Sequence, residues 1–100
     1  MSRLIWSPSG LRDIQRLYQF LAEKNRAAAR RAVQTIRTSL QILAEHPEVG
    51  RPTDKMDPAF REWLIDFGNS GYVVLYHYDG NVAVIVAVRH QRETGYRPGC

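Results

Sequence analysis

The side chains best equipped for chemistry stand together near the end of the chain, in Arg89-His90-Gln91-Arg92-Glu93. They follow seven apolar residues, Val82 to Val88, with no transition. An imidazole changes charge near neutral pH and can move a proton. Guanidinium forks hold phosphate or carboxylate through paired N–H donors. If Arg61 joined Arg89, His90 and Arg92 in one concavity, the group would bind an anion and His90 could act on it as acid or base. The competing reading is a solvated strand end with ordinary surface charges. Arg61 opens one expected strand and Arg89 closes another. Both flank the same middle strand and run the same way, so the sequence alone does not bring them together.

Other chemistry is poorly supplied. There is no phosphate-cradling glycine loop, dinucleotide fingerprint, HExxH or CxxC. His46, His77 and His90 are far apart and no thiolates stand at ligand spacing, so no metal or other cofactor is expected. His46 precedes Pro47 at a helix end, where a cationic side chain suits the dipole, and His77 lies mid-strand between Tyr76 and Tyr78. Ser7, Ser9, Ser39 and Ser70 fall outside any nucleophile-elbow pattern. Arg26, Arg30 and Arg37, with Arg31 nearby, form a basic stripe that could meet nucleic acid. No aromatic residues interleave it for base stacking, and it reads as a solvated helix face.

The elements that must position these residues follow from patterning. Arg3 to Trp6 is a short apolar strand. Ser7-Pro8 is a helix start, with serine as N-cap and proline in the first turn. Leu11, Ile14, Leu17, Tyr18 and Leu21 then recur at helical spacing, predicting a helix over residues 8–23 whose other face carries Arg12, Asp13, Arg16 and Glu23. Asn25 caps a second helix with a stripe of Ala28, Ala29, Ala32, Val33, Ile36, Leu40 and Leu43, ended by Pro47. The short link folds the two into an antiparallel hairpin. After a long loop, HPEVGRPTDKMDP, come three strand signals: FREWLIDF, YVVLYHY and VAVIVAV. Trp63, Ile65 and Phe67 share one face of the first. Asp79-Gly80 is a tight-hairpin signal before the last. The order is β-α-α-β-β-β, one α+β domain over residues 1–100, with a helical hairpin on a mainly antiparallel sheet.

Both faces of the last strand are apolar. Val82, Val84, Val86 and Val88 form one and are expected to pack on the helices. Ala83, Ile85 and Ala87 form the other, which must be covered either by Trp63, the tyrosines and the long loop, or by a partner segment.

Composition adds limits. Net charge is +4 with pI about 9.6, and twelve of the fourteen basic residues are arginine, which allows a nucleic-acid or acidic-protein partner without requiring one. No apolar run approaches the roughly 20 residues that span a bilayer, so no membrane association is expected. The start MSRLIWSPSG carries no secretory pattern. The one cysteine, Cys100, cannot form an internal disulfide, which suits a reducing cytosol.

The segments WSPSGLRDIQRLYQFLA, AARRAVQTIRTSLQILAEHPEVGRP, FREWLIDFGNSGYVVLYHYDG and VAVIVAVRHQRETGY together resemble the ParE/RelE superfamily of toxins from bacterial type II toxin–antitoxin modules. The most specific stretches are P-x-x-G-R-P after the second helix, F-R-E opening the next strand, and V-x-H-x-R closing the last. The resemblance implies the fold just derived and a cytoplasmic toxin in a bacterium. It also implies a ParD-like antitoxin whose C-terminal segment wraps the toxin, which would cover Ala83, Ile85 and Ala87. RelE-like members cleave mRNA on the ribosome, whereas ParE-like members inhibit DNA gyrase and are not nucleases. The long helical hairpin and the VRHQRE ending are more similar to ParE. On that side, Arg61, Arg89, His90 and Arg92 would contact gyrase or its bound DNA, with no small-molecule substrate and no catalytic residue. On the RelE side, His90 would be acid or base with Arg61 and Arg89 on the phosphate, and Glu62 or Glu93 conceivable bases.

Overall fold

Two capped helices begin the architecture. In the computed structural model, which describes residues 3–53, 56–68 and 70–93, strand β1 (Arg3–Trp6) leads directly into helix α1 (Pro8–Ala22). Ser7 sits in extended backbone, and its hydroxyl accepts the Gly10 N–H at 3.0 Å, satisfying a donor that the first turn leaves over. Helix α2 (Arg26–Glu45) starts the same way, with Asn25 Oδ1 accepting the Ala28 N–H at 3.1 Å, and stops at His46 before Pro47. The first helix ends one residue earlier than its spacing predicts, with Glu23 as cap.

A five-stranded sheet carries both helices on one face. Its strands are β1, β2 (Arg51–Pro52), β3 (Phe60–Phe67), β4 (Ser70–Tyr78) and β5 (Val82–His90), in the order β1-β5-β4-β3-β2. The β2–β3–β4–β5 ladder is antiparallel, and β1 pairs with β5 in parallel, so the sheet is mixed. The long loop thus contains a two-residue strand that the sequence did not announce, and the last strand runs two residues further than its apolar run, taking in Arg89 and His90. The core joins Ile14 and Leu17 of α1, and Ala32, Ile36, Leu40 and Leu43 of α2, to Ile65, Tyr72, Val74, Tyr76, Ala83, Ile85 and Val88 of the sheet. Each buried leucine, isoleucine or valine among them contributes roughly 1.5–3 kcal/mol by leaving water. Gly10 lets α1 lie close on β5: a Cβ there would stand 2.7 Å from the Ile85 carbonyl oxygen.

The faces of β5 are not those expected. Leu75 pairs with Ala87 but Tyr76 pairs with Ile85, so Val86 is an extra residue, a β-bulge. Before it, Ala83 and Ile85 point at the helices and are fully buried, while Val82 and Val84 lie on the helix-free face. After it the alternation shifts by one: Val88 joins the core and Ala87 moves to the helix-free face. The grouping of Ala83, Ile85 and Ala87 on one partner-facing surface is therefore corrected. The first two are covered by the chain's own helices, and only Ala87 faces the other way.

Candidate functional site

Strand β5 outruns its neighbour. Its pairing with β1 ends at Trp6–Ile85, so on that side the backbone from Val86 onward needs other partners. Helix α1 supplies them through its polar side chains. The Ser7 hydroxyl, already the N-cap, donates to the Val86 carbonyl at 3.3 Å and so ties down the bulge. Asp13 Oδ2 accepts the Val88 N–H at 2.9 Å, and Arg16 Nη2 donates to the Val88 carbonyl at 3.4 Å. The next free N–H, that of His90, goes to Glu93 Oε1 at 3.0 Å, and the same oxygen accepts from Arg16 Nη1 at 3.1 Å. Asp13 and Arg16 were legible only as charges lying off the apolar stripe. Their work is to finish the edge of β5.

These contacts fix the turn that carries the chemical candidates. Gln91 N–H donates to the Gly71 carbonyl at 2.9 Å, and Glu93 N–H to the His90 carbonyl at 3.0 Å. Arg89, on the helix-free face opposite Val73, folds its guanidinium under the turn: Nη1 donates to the Glu93 carbonyl at 2.8 Å and to the His90 carbonyl at 3.3 Å. The His90 ring stands edge-on to Tyr72, with centroids 5.6 Å apart. Its Nδ1 accepts the Arg92 N–H at 3.1 Å, which requires an unprotonated Nδ1. The proton of the neutral ring is then on Nε2, which lies 2.9 Å from Ser70 Oγ and donates to it. Both ring nitrogens serve the local structure. Arg92, in contrast, is exposed on the outside of the turn.

Arg61 is not part of this cluster. It pairs with Tyr76 on the helix side of the sheet, whereas Arg89 pairs with Val73 on the other. Three residues along β4 and two strand spacings across separate them by roughly 10 Å in each direction. Arg61 Nη1 donates to the Gly50 carbonyl at 2.8 Å and the Glu48 carbonyl at 3.1 Å. It works with Tyr76, whose hydroxyl donates to the Pro47 carbonyl at 2.7 Å and accepts the Gly50 N–H at 2.9 Å. The P-x-x-G-R-P stretch is thus a loop clasped onto the sheet, and a Cβ at Gly50 would collide with the Tyr76 hydroxyl at 2.5 Å. Burial pushes the Tyr72 and Tyr76 phenols above their ordinary value of 10.0. For Tyr76, the bond from Gly50 and the Arg61 charge oppose that shift.

The remaining candidates have settled surroundings. Glu62 Oε1 pairs with Arg51 at 3.3 Å across β2 and β3. His77 packs edge-on to Phe60 on the helix-free face, with centroids 4.9 Å apart. His46 is the exposed C-cap of α2. Cys100 lies outside the described residues, among which no group of three or more metal-ligating side chains occurs.

Two helices packed on one face of a mixed five-stranded sheet form the fold of ParE and RelE toxins. The solved structure of a chromosomal ParDE system from P. aeruginosa superposes with a TM-score of 0.69 at 18% identity, covering 90% of this chain and 96% of that one. The toxin–antitoxin complex RelBE2 from Mycobacterium tuberculosis gives a TM-score of 0.59 at 20% identity, covering 90% and 98%. The family model described as ParE toxin of type II toxin–antitoxin system, parDE, matches residues 4–95, and the chain belongs to that family. Two relatives from Caulobacter vibrioides carry the other half of the superfamily name. Toxin RelE3 is 33% identical over 86 residues, covering 86% of this chain and 90% of that protein. Toxin RelE1 is 34% identical over 82 residues, covering 82% and 85%.

Proposed function

We propose that this type II toxin acts by binding rather than by cleaving: the turn after β5 engages DNA gyrase with its bound DNA, and a cognate ParD-like antitoxin in the bacterial cytoplasm neutralises it. The observation that carries this reading is the state of His90. Its Nδ1 takes the Arg92 N–H and its Nε2–H goes to Ser70, so it serves as a strut that holds Arg92 outward. A metal-free ribonuclease needs a base for the 2′-hydroxyl, an acid for the leaving oxygen and cations on the phosphate. Arg61, the cation that the nuclease reading pairs with His90, sits on the loop clasp instead. A rigid turn with one outward guanidinium suits recognition. The solved relatives that superpose belong to toxin–antitoxin assemblies, which supports an antitoxin partner. The surface that suits an antitoxin segment is the helix-free face of the sheet. Ile5 (39% exposed) and Leu64 (45% exposed) present apolar surface there, with half-buried Val84 beside Ile5.

The nuclease alternative draws on the RelE names of the relatives and on the imidazole beside Arg89. A supercoiling assay on relaxed plasmid separates the two. The binding reading expects loss of supercoiling with accumulation of cleaved, gyrase-linked DNA. Arg92→Ala should raise the half-inhibitory concentration by about tenfold or more, the worth of one charge-assisted contact. Unimpaired gyrase, with ribosome-bound mRNA cleavage that His90→Gln abolishes, overturns it.

A further inference from the structure

The outward face of α2 carries an array of charge that the toxin turn does not use. Arg26, Arg30 and Arg37 fall within about 40° of one another around the helix and span about 16 Å of its length at 1.5 Å per residue. All three are exposed, as is Arg31 about a third of a turn away. The helix has no acidic residue before Glu45, its last. Among the described ion pairs, which join Arg16 to Asp13 and Glu93 and Arg51 to Glu62, none involves an α2 arginine. Beside the row runs a shallow groove of about 320 Å³, where Arg30 and Arg37 meet Gln34, Thr38, Gln41 and Tyr18 of α1. Cations thus alternate with neutral hydrogen-bonding groups along a straight edge.

We infer that this row docks on the phosphate backbone of duplex DNA. Over 16 Å a duplex offers about ten phosphates, one negative charge per roughly 1.7 Å of axis, so each guanidinium has a partner whatever the sequence. Phosphates are bound by this mixture of arginine with Gln, Thr and Tyr donors, without base readout. The lack of interleaved aromatics, which argues against single strands whose bases need stacking, is no obstacle for a duplex. An acidic protein segment is a poorer match. Protein interfaces draw their affinity from large apolar anchors buried in pockets, and this groove offers only Tyr18 and Val33. The inference does not depend on gyrase being the target: it concerns α2, on the far side of the core from the helix-free face, and a separate binding event.

The test is fluorescence anisotropy of a labelled 20-base-pair duplex of arbitrary sequence with the full chain, from 50 to 200 mM salt. Three phosphate contacts give a log–log slope of about −2.7, or roughly 40-fold weaker binding across that range. Arg26→Gln with Arg30→Gln and Arg37→Gln should bring the slope near zero. Arg3→Gln with Arg12→Gln, which removes two exposed cations elsewhere, should leave it in place. All these positions are exposed, and circular dichroism checks that each variant is folded. No binding of the wild type at 50 mM, an unchanged slope in the triple variant, or a row-dependent preference for a poly-glutamate peptide over the duplex would overturn the inference. Gyrase is absent from this assay, so failure here leaves the gyrase proposal intact, and failure there leaves this one intact.

Discussion

Asp13→Ala is the sharpest test of how β5 is held. The carboxylate is 13% exposed and accepts the Val88 N–H at 2.9 Å, at a point where β1 has ended and no strand partner exists. Its contact with Arg16 is longer, 3.7 Å, and a partly exposed pair at that distance adds little. The loss is therefore dominated by one hydrogen bond to a charged acceptor, about 1.5–3 kcal/mol. Alanine returns up to about 0.7 kcal/mol, because aspartate is a poor helix former. The net destabilisation is about 1–2 kcal/mol, which in a domain of this size lowers Tm by roughly 4 to 16 °C. Arg12→Ala, on the exposed neighbour, should stay within about 0.5 kcal/mol of wild type. Asp13→Asn, which keeps an amide oxygen for the N–H, should fall between. Thermal melts rank the three, and amide hydrogen exchange at Val88 gives the local readout, since its protection should drop in Asp13→Ala beyond what the global change explains. If Asp13→Ala melts with Arg12→Ala and Val88 stays protected, the edge of β5 does not depend on α1, and the account of how the Arg92 turn is fixed fails with it.

Two further outcomes follow from the same geometry. Tyr76→Phe removes the hydroxyl that serves Pro47 and the buried Gly50 N–H, and should cost about 2 kcal/mol in urea unfolding, about 1 for each bond. Because burial raises the Tyr76 phenol, the unfolded chain loses its proton first and wild-type stability falls as pH climbs past 10; the variant should lose part of that alkaline decline. Asp79 works in the opposite direction. Bonds from the Val82 and Asn81 N–H groups hold its carboxylate below the ordinary 3.8, so its contribution is present above about pH 4 and lost as pH falls below it. An Asp79→Asn melt series should show a flatter acid limb, and an unchanged limb would remove the tight Asp79–Val82 hairpin from the explanation.

Much of this architecture could be read from the chain because its local signals agree with its packing. Ser7-Pro8 and Asn25 are caps in the structure as in the sequence; Ala29, Ala32, Ile36, Leu40 and Leu43 of the second helical stripe are buried, while in the first Ile14 and Leu17 are buried, Tyr18 and Leu21 half-buried and Leu11 exposed. Trp63, Ile65 and Phe67 all face the helices. The error on β5 has a definite cause. A strand repeats every two residues, so one extra residue moves every later side chain to the other face. In Val82 to Val88 every residue is apolar and none is glycine, so nothing local marks Val86 as the extra one. Only the partner strand, with Leu75 on Ala87 and Tyr76 on Ile85, reveals the bulge.

The candidate site divides along the same line. That Arg89, His90 and Arg92 belong together needs only their adjacency, whereas placing Arg61 elsewhere needs the sheet register. The support beneath them was half legible. A four-residue β1 cannot cover a nine-residue β5, and that mismatch alone demands substitute partners for the backbone beyond Ile85. It does not say which residues answer. Asp13 and Arg16 stand one helical turn apart and off the apolar stripe, as solvated charges also do. Only the close seat of Gly10 on Ile85 brings them over the edge of β5. The apolar strand ends in a charged turn because helix α1 holds that turn by its polar face. If Arg92 meets the target as proposed, that contact depends on three side chains that never need to touch the target: Asp13, Arg16 and Glu93.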